Sequence, residues 1–119
     1  MILGVFLFTR MNKTLKFEPH LIQLIFNGRK RNTWRPFDDK DLTRGDIVDF
    51  LNSQTKERFA TATLTLVEEK TFAELDEQDW QGHDKFPTDE DMYRWFSQTY
   101  KQPVDASTPL KVIWFQLQA

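Results

Sequence analysis

The spacing of hydrophobic and polar positions changes along the chain and predicts both helices and strands. Apolar residues recur at intervals of three and four over residues 18–28 and 87–100, as in helices with one buried face. Over residues 58–69 apolar residues alternate with threonine, which is typical of a strand. Residues 71–86 predict one or two short helical turns and a loop. Shorter apolar or β-rich runs predict four further strands at residues 14–17, 31–35, 47–52 and 110–118.

Residues at the ends of the two predicted helices support these assignments. Pro19 suits a first helical position, and Gly28 readily takes the left-handed conformation that ends a helix. Thr88 precedes Asp91 by three residues, which is the spacing of an N-terminal cap. The second helix is predicted to bury a stripe made of Met92, Trp95, Phe96 and Tyr100.

The order of the elements is strand, helix, several strands, a helical insertion and a final strand. This order predicts an α+β domain with a small curved sheet or barrel whose ends are covered by helices. Helices do not alternate with strands and no glycine-rich phosphate loop follows a strand, which disfavours a doubly wound parallel sheet. A chain of 119 residues suits one hydrophobic core.

Composition excludes several kinds of chemistry. The chain has no cysteine, so disulfides, zinc thiolate sites and cysteine nucleophiles are excluded. It has two histidines and no dense carboxylate motif, so we predict neither a metal site nor a cofactor. The lack of cysteine fits a reducing compartment, and we expect a cytoplasmic protein.

The chain begins with a short apolar run. The run from Ile2 to Phe8 is far shorter than the ~20 residues that a membrane-spanning helix needs, so no membrane association is expected. Met11 opens a segment that resembles a natural start. We therefore predict an N-terminal extension over residues 1–12 and a single domain over residues 13–119; an extra edge strand is the alternative for the apolar run.

Positive charge is concentrated in one turn. Residues 1–36 hold seven cations and one acid, although the whole chain has a net charge of −2. Four of these cations lie within seven consecutive positions, namely Arg29, Lys30, Arg31 and Arg35. Cations after a helix are also favoured by the helix dipole, so a solvated turn is the alternative to a binding site. The negative net charge of the chain disfavours binding of duplex DNA, which usually needs a strongly basic domain.

Five short motifs in one order resemble the ASCH domain of the PUA-like superfold. They are GRKRNTWR, LTRGDIVDF, FAELDEQDWQGHDKF, YRWFSQTY and LKVIWFQL, and the resemblance spans roughly residues 13–118. It implies a small PUA-like β-barrel with peripheral helices, a single ASCH domain over residues 13–119, and a cleft beside the turn that follows the first helix. It also implies a role in RNA or nucleotide chemistry.

Small ASCH enzymes that remove the acetyl group from N4-acetylcytidine carry a Gly-x-Lys-x-x-Thr-x-Arg pattern, which this chain resembles at Gly28, Lys30, Thr33 and Arg35. The resemblance implies Lys30 as a base and Thr33 as a nucleophile. A lysine serves as a base only where burial lowers its pKa. Those enzymes also use a glutamate near the helical insertion as the acid, and this chain has Gln81 there instead. Nearby acids that could substitute for it are Glu74, Asp79 and Asp84.

Several other side chains admit two interpretations. Arg35 is expected either to pair with an acid of the loop at residues 36–46 or to hold a ligand phosphate. Trp34 should face away from Thr33 and Arg35 if strand alternation holds, which favours core packing over base stacking. The simplest interpretations are packing for Trp80 and solvent exposure for Arg31, His20 and His83.

These observations predict an ASCH domain that binds RNA, a nucleotide or a modified nucleoside in a basic cleft, through Gly28, Lys30, Thr33 and Arg35. Whether the protein is an enzyme stays open. The alternatives are an amidohydrolase acting on N4-acetylcytidine-like substrates, a ribonuclease and a protein-interaction adaptor. The oligomeric state is also left open.

Overall fold

A computed structural model describes residues 12–119. The chain in this range forms five strands, three α-helices and one turn of 3-10 helix. In chain order these are β1 (Lys13–Phe17), α1 (Pro19–Phe26), β2 (Asn32–Pro36), β3 (Ile47–Asn52), β4 (Arg58–Thr71), the 3-10 turn (Phe72–Glu74), α2 (Glu77–Gln81), α3 (Asp89–Tyr100) and β5 (Pro109–Leu117). The predicted α+β architecture is confirmed, and each predicted strand lies within one or two residues of an observed one. The predicted extension over residues 1–12 falls on residues outside the described range, apart from Asn12.

The strands form one mixed sheet in the order β1-β3-β4-β5-β2, curved into a half-barrel. Only the β1–β3 pair is parallel, and the other pairs are antiparallel. Among the strands of residues 12–119, β1 and β2 are therefore the two edges. Arg35 on β2 links these edges, because its Nη2 donates to the carbonyl of Lys16 on β1 at 2.9 Å.

The capping residues act as predicted. Helix α1 ends at Phe26, and Gly28 follows with a φ of 80°, in the left-handed region that glycine favours. Thr88 Oγ1 accepts a hydrogen bond from the Asp91 amide at the start of α3, at 3.1 Å. The predicted stripe on α3 is partly wrong, because Trp95 remains 36% exposed while Met92 is buried.

Two hydrophobic clusters make up the core. The first packs α1 against β1, β3 and β4, and its centre includes Phe17, Val48 and Phe50. The second packs α3 against β2 and β5, and its centre includes Trp34 and Phe96. Residues of both clusters, Phe17 from the first and Trp34 and Phe96 from the second, also line the candidate site. No helix within residues 12–119 has the length and apolar character needed to cross a bilayer.

Candidate functional site

A cavity of about 510 Å³ lies where the two edge strands approach each other. Its walls come from β1, the start of α1, β2, the loop between α2 and α3, and the second half of α3. The aromatic and histidine side chains that line it are Phe17, His20, Trp34, His83, Phe86, Trp95, Phe96 and Tyr100. The charged and hydroxyl side chains are Lys16, Glu18, Lys30, Thr33, Arg35, Ser53, Asp84, Lys85 and Thr99. Three of the four predicted ligand-binding residues therefore meet in this cavity.

Lys30 is the most deeply buried cation of the site. The turn after α1 is fixed by its backbone, since the Lys30 amide donates to the carbonyl of Leu24 at 2.9 Å. The side chain is 3% exposed, and its Nζ lies 2.7 Å from Oδ1 of Asp84. Burial lowers the pKa of Lys30 to about 8, although the charge of Asp84 and its hydrogen bond oppose this shift. Lys30 therefore meets the condition under which a lysine acts as a base near neutral pH.

Thr33 and Arg35 form a second polar unit on β2. Arg35 Nε donates to Thr33 Oγ1 at 3.0 Å, so the hydroxyl proton of Thr33 remains free to be donated. The Arg35 guanidinium also lies over the Phe17 ring, 4.9 Å from its centroid. Within residues 12–119 it forms no salt bridge, so the predicted ion pair with an acid of the 36–46 loop is not observed. In that loop Asp38 binds Lys111 instead.

His83 is a buried site residue, and its interpretation as a solvated loop histidine is wrong. Its ring stacks on Trp34 with centroids 3.8 Å apart and planes at 16°. Nδ1 lies 2.6 Å from the carbonyl oxygen of Asp84. Because a carbonyl only accepts, Nδ1 carries the proton and Nε2 is left as an acceptor. Burial, with help from the nearby Lys30 charge, lowers the pKa of His83 to about 3, so the ring is neutral at physiological pH.

Trp34 belongs both to the core and to the cavity wall. The prediction that it packs in the core is confirmed, since it is 2% exposed. The prediction that it cannot share a cleft with Thr33 and Arg35 is wrong, because all three line the same cavity. His83 stacks on Trp34, so the loop between α2 and α3 meets β2 at this point. The Trp34 indole N–H has no hydrogen-bond partner in the described part of the chain.

Gln81, the predicted position of the third catalytic element, does not line the first cavity. Gln81 is exposed at the end of α2 and lines a second cavity of about 410 Å³, beside Gly28 and Lys30. Of the three substitute acids, Asp79 binds Lys70 at 2.8 Å, and Glu74 accepts from the amide and hydroxyl of Thr71. Asp84 alone among the three contacts Lys30. The sequence carried no signal for this choice except that Asp84 follows Gly82 and His83 in a short loop.

Gly82 joins the turn at residues 27–31, which follows α1, to the loop that carries His83 and Asp84. Its carbonyl accepts from the amides of Arg31 and Asn32, at 2.7 and 3.0 Å. A Cβ at position 82 would lie 2.7 Å from Cζ3 of Trp114, which is too close for any side chain there. This close approach of two backbones allows the Lys30–Asp84 contact.

The arrangement offers charge and proton-transfer groups without an evident metal site. Residues 12–119 contain no group of three or more His, Asp or Glu side chains that could hold a metal ion. What the cavity does offer is a buried amine, a hydroxyl held by an arginine, a carboxylate and a neutral imidazole. These are groups for hydrogen bonding to a polar planar ligand or for acid–base chemistry.

Comparison with known proteins identifies the fold. No protein-family model and no curated protein matches the chain. Among solved structures, protein EF3133 from Enterococcus faecalis V583, described by the family model DUF984, superposes with a TM-score of 0.76 at 20% identity, over 98% of this chain and 89% of that one. The ASCH domain from Lactobacillus crispatus JV V101 superposes with a TM-score of 0.61 at 11% identity, over 98% and 91%.

The ASCH protein of Zymomonas mobilis, solved as a point mutant, superposes with a TM-score of 0.58 at 12% identity, over 87% of this chain and 67% of that one. These structures share the half-barrel and its helices with the present chain at low sequence identity. The chain therefore has an ASCH-like fold, as its sequence motifs predict.

Proposed function

We propose that this ASCH-like domain binds a nucleoside or nucleotide, either free or within single-stranded RNA, in the cavity beside Lys30. The observation that carries the proposal is the composition of this cavity, in which aromatic walls surround a small cluster of polar groups. A volume of about 510 Å³ lies within the usual range of small-molecule sites. Bases stack on aromatic side chains, which contribute ~1–3 kcal/mol per base in single-stranded complexes.

The polar groups are suited to the edge of a base. The Lys30 ammonium and the Thr33 hydroxyl are donors, the Asp84 carboxylate is an acceptor, and His83 Nε2 is a second acceptor. Such a mixture matches the alternating donors and acceptors of a nucleobase better than it matches an apolar ligand.

A titration with nucleosides tests the proposal. The probes are cytidine, uridine, adenosine, guanosine and N4-acetylcytidine, followed by tryptophan fluorescence and by amide NMR shifts. We expect saturable binding of at least one nucleoside and shifts at Thr33, Trp34 and His83. Absence of binding by all five at millimolar concentration would refute the proposal.

A pair of matched lysine variants locates the binding site. Lys30→Met removes the ammonium inside the cavity, whereas Lys70→Met removes a lysine that is paired with Asp79 outside it. We expect Lys30→Met to weaken binding by about tenfold or more, the loss of one charge-assisted hydrogen bond, and Lys70→Met to leave affinity unchanged. If Lys30→Met unfolds because Asp84 is left unpaired, the double variant Lys30→Met/Asp84→Asn removes that charge and keeps the test.

The lowered pKa of Lys30 supports a second function, hydrolysis of an acylated amine such as N4-acetylcytidine. Neutral Lys30 would take the proton of Thr33 as Oγ1 attacks the acyl carbon. The C–N bond then breaks, the amine leaves with that proton, and water hydrolyses the acyl-threonine ester to release the acid and restore both groups. Arg35 Nε, 3.0 Å from Thr33 Oγ1, would stabilise the developing alkoxide.

The loss of N4-acetylcytidine absorbance separates turnover from binding. We expect Thr33→Val to abolish any turnover, whereas the loss of one neutral hydrogen bond should weaken nucleoside binding by about tenfold at most. Because only neutral Lys30 is a base, kcat/KM should rise with pH and level off above about 8. Turnover that persists in Lys30→Ala would exclude this mechanism even if hydrolysis is real.

A further inference from the structure

The second cavity adjoins the first across the Lys30–Asp84 pair. The two cavities share Lys30, His83, Asp84 and Lys85 as wall residues. The second one, of about 410 Å³, additionally contains Arg29 and Arg31 from the turn after α1. A ligand in the first cavity would therefore lie beside the second cavity, with these shared side chains between the two spaces.

The second cavity carries positive charge that the described residues do not neutralise. Arg29 and Arg31 are exposed, and neither forms a salt bridge within residues 12–119. The one acid of its wall is Asp84, whose charge is already matched by Lys30 at 2.7 Å. Lys85 Nζ donates to the carbonyl of Trp80 at 2.6 Å, which leaves its charge uncompensated. The cavity thus favours an anionic group.

Helix capping does not account for these cations. The last carbonyls of α1 already accept from backbone amides, since Asn27 donates to Gln23, Gly28 to Ile25 and Lys30 to Leu24. The arginine side chains are not needed for that purpose. Arg31 is also held in place, because its guanidinium lies 5.9 Å from the centroid of the Trp114 ring and its amide donates to Gly82.

We propose that the second cavity binds the phosphate of the ligand whose base occupies the first, through Arg29, Arg31 and Lys85. The inference rests on the proposed nucleoside or nucleotide function and adds that a phosphate is part of the recognised ligand. Guanidinium groups bind phosphate oxygens with paired, charge-assisted hydrogen bonds, which suits two arginines beside one open cavity. The phosphate comes either from a mononucleotide or from the backbone of a single strand.

Two arginine variants with the same change in charge test this subsite. Arg29→Gln/Arg31→Gln removes the cations of the second cavity. Arg44→Gln/Arg58→Gln removes two exposed arginines that line neither cavity. The single variant Arg29→Gln is a further test. Within residues 12–119 Arg29 has no aromatic contact to lose, so this variant is expected to fold like the native protein.

The ligands are cytidine, cytidine 5′-monophosphate, cytidine 3′-monophosphate and the trinucleotide CpCpC, each titrated at several salt concentrations. We expect phosphate to raise affinity about tenfold at low salt and the Arg29/Arg31 variant to lose this gain while it keeps its affinity for cytidine. The slope of log Kd plotted against the logarithm of the salt concentration should also fall by about one for each arginine removed. A gain with a monophosphate identifies a mononucleotide as ligand, whereas a gain with CpCpC alone identifies a strand.

Ribose 5-phosphate provides a probe that carries phosphate without a base. We expect it to shift the amide NMR signals of Gly28, Arg29 and Arg31 in the native protein and not in the Arg29/Arg31 variant. Such shifts without any binding of nucleosides would support the phosphate subsite and refute the proposed base site. Equal affinity for cytidine and its phosphates, the absence of these shifts, or an equal loss in the Arg44/Arg58 variant would each overturn the inference.

Discussion

The Lys30 ammonium and the Asp84 carboxylate, 54 residues apart in the sequence, lie 2.7 Å apart in the structure. Lys30 is almost wholly buried, while the Asp84 side chain keeps 28% of its surface exposed. The buried amine of Lys30 is thus paired with a partly exposed carboxylate that lines both cavities. Burial lowers the pKa of Lys30 and Asp84 partly restores it, so the two residues together set the charge of the site.

Replacing Asp84 should lower the pKa of Lys30 further. In Asp84→Asn the charge and the charge-assisted hydrogen bond that favour the ammonium are lost, whereas burial remains, so we expect a pKa clearly below about 8. The pH dependence of the Lys30 side-chain NMR signals measures this. Asp38→Asn is the control, because Asp38 pairs with Lys111 and not with Lys30. An unchanged or raised pKa in Asp84→Asn would contradict the ion pair.

His83 should make the protein sensitive to acid. Its pKa is about 3 in the folded protein and 6.5 in the unfolded chain, so between these values the unfolded chain binds a proton that the folded protein excludes. Stability is therefore lost as pH falls from 6.5 towards 3, by at most about 1.4 kcal/mol per pH unit for this one proton.

Chemical denaturation of His83→Gln across this pH range checks the prediction. The variant should be less stable at neutral pH, because it loses the stacking on Trp34, but its stability should decline less steeply with acid. His20→Gln is the matched control, since the side chain of His20 is 67% exposed. Parallel curves for the native protein and His83→Gln would show that His83 is not the titrating group.

Gly82→Ala should destabilise the protein by ~1–3 kcal/mol through steric conflict. The added Cβ would meet Trp114 Cζ3 at 2.7 Å and Asn32 Nδ2 at 3.0 Å. Thermal unfolding measures the loss. Gly28→Ala is the comparison variant, and its loss of stability should have a different cause. The space around Gly28 is open, but its φ of 80° is unfavourable for alanine. If Gly82→Ala is as stable as the native protein, the loop does not pack against Trp114 as described.

Gln81→Glu should weaken the binding of nucleotides more than that of nucleosides. Residue 81 lines the second cavity, where a new carboxylate would repel phosphate. The effect should shrink as salt rises, because screening limits its reach to ~8 Å near physiological ionic strength. Gln98→Glu adds the same charge at an exposed position of α3 that lines neither cavity. A gain in N4-acetylcytidine hydrolysis would instead show that residue 81 occupies the position of the catalytic acid.

Local patterns predicted the fold well because they depend on neighbours in sequence. Strand β3 has the predicted bounds, and the threonine alternation of β4 and the cap at Thr88 are each decided within a few residues. The same holds for Lys30 and Thr33, which one turn and one strand bring into a common cavity.

Features of the site that depend on distant contacts were not predictable in the same way. Asp79 is paired with Lys70 on β4, whereas Asp84 pairs with Lys30, and both contacts join residues from different elements. Strand alternation did not predict the place of Trp34 in the cavity wall, because the loop that carries His83, distant in sequence, packs against Trp34. The burial of His83 likewise depends on its stacking on Trp34.

The pairing of β2 with β5 sets the order in which the site is assembled during synthesis. Strand β2 carries Thr33, Trp34 and Arg35, and in the described sheet its hydrogen-bonded neighbour is β5, the last of the five strands to be made. Until β5 has been synthesised, β2 therefore lacks its hydrogen-bonded neighbour in the described sheet. Contacts between such distant segments slow folding and expose the chain to aggregation. Strand β2 therefore takes its place in the described sheet only once β5 has been made, so the wall that β2 gives to the cavity is completed late in folding.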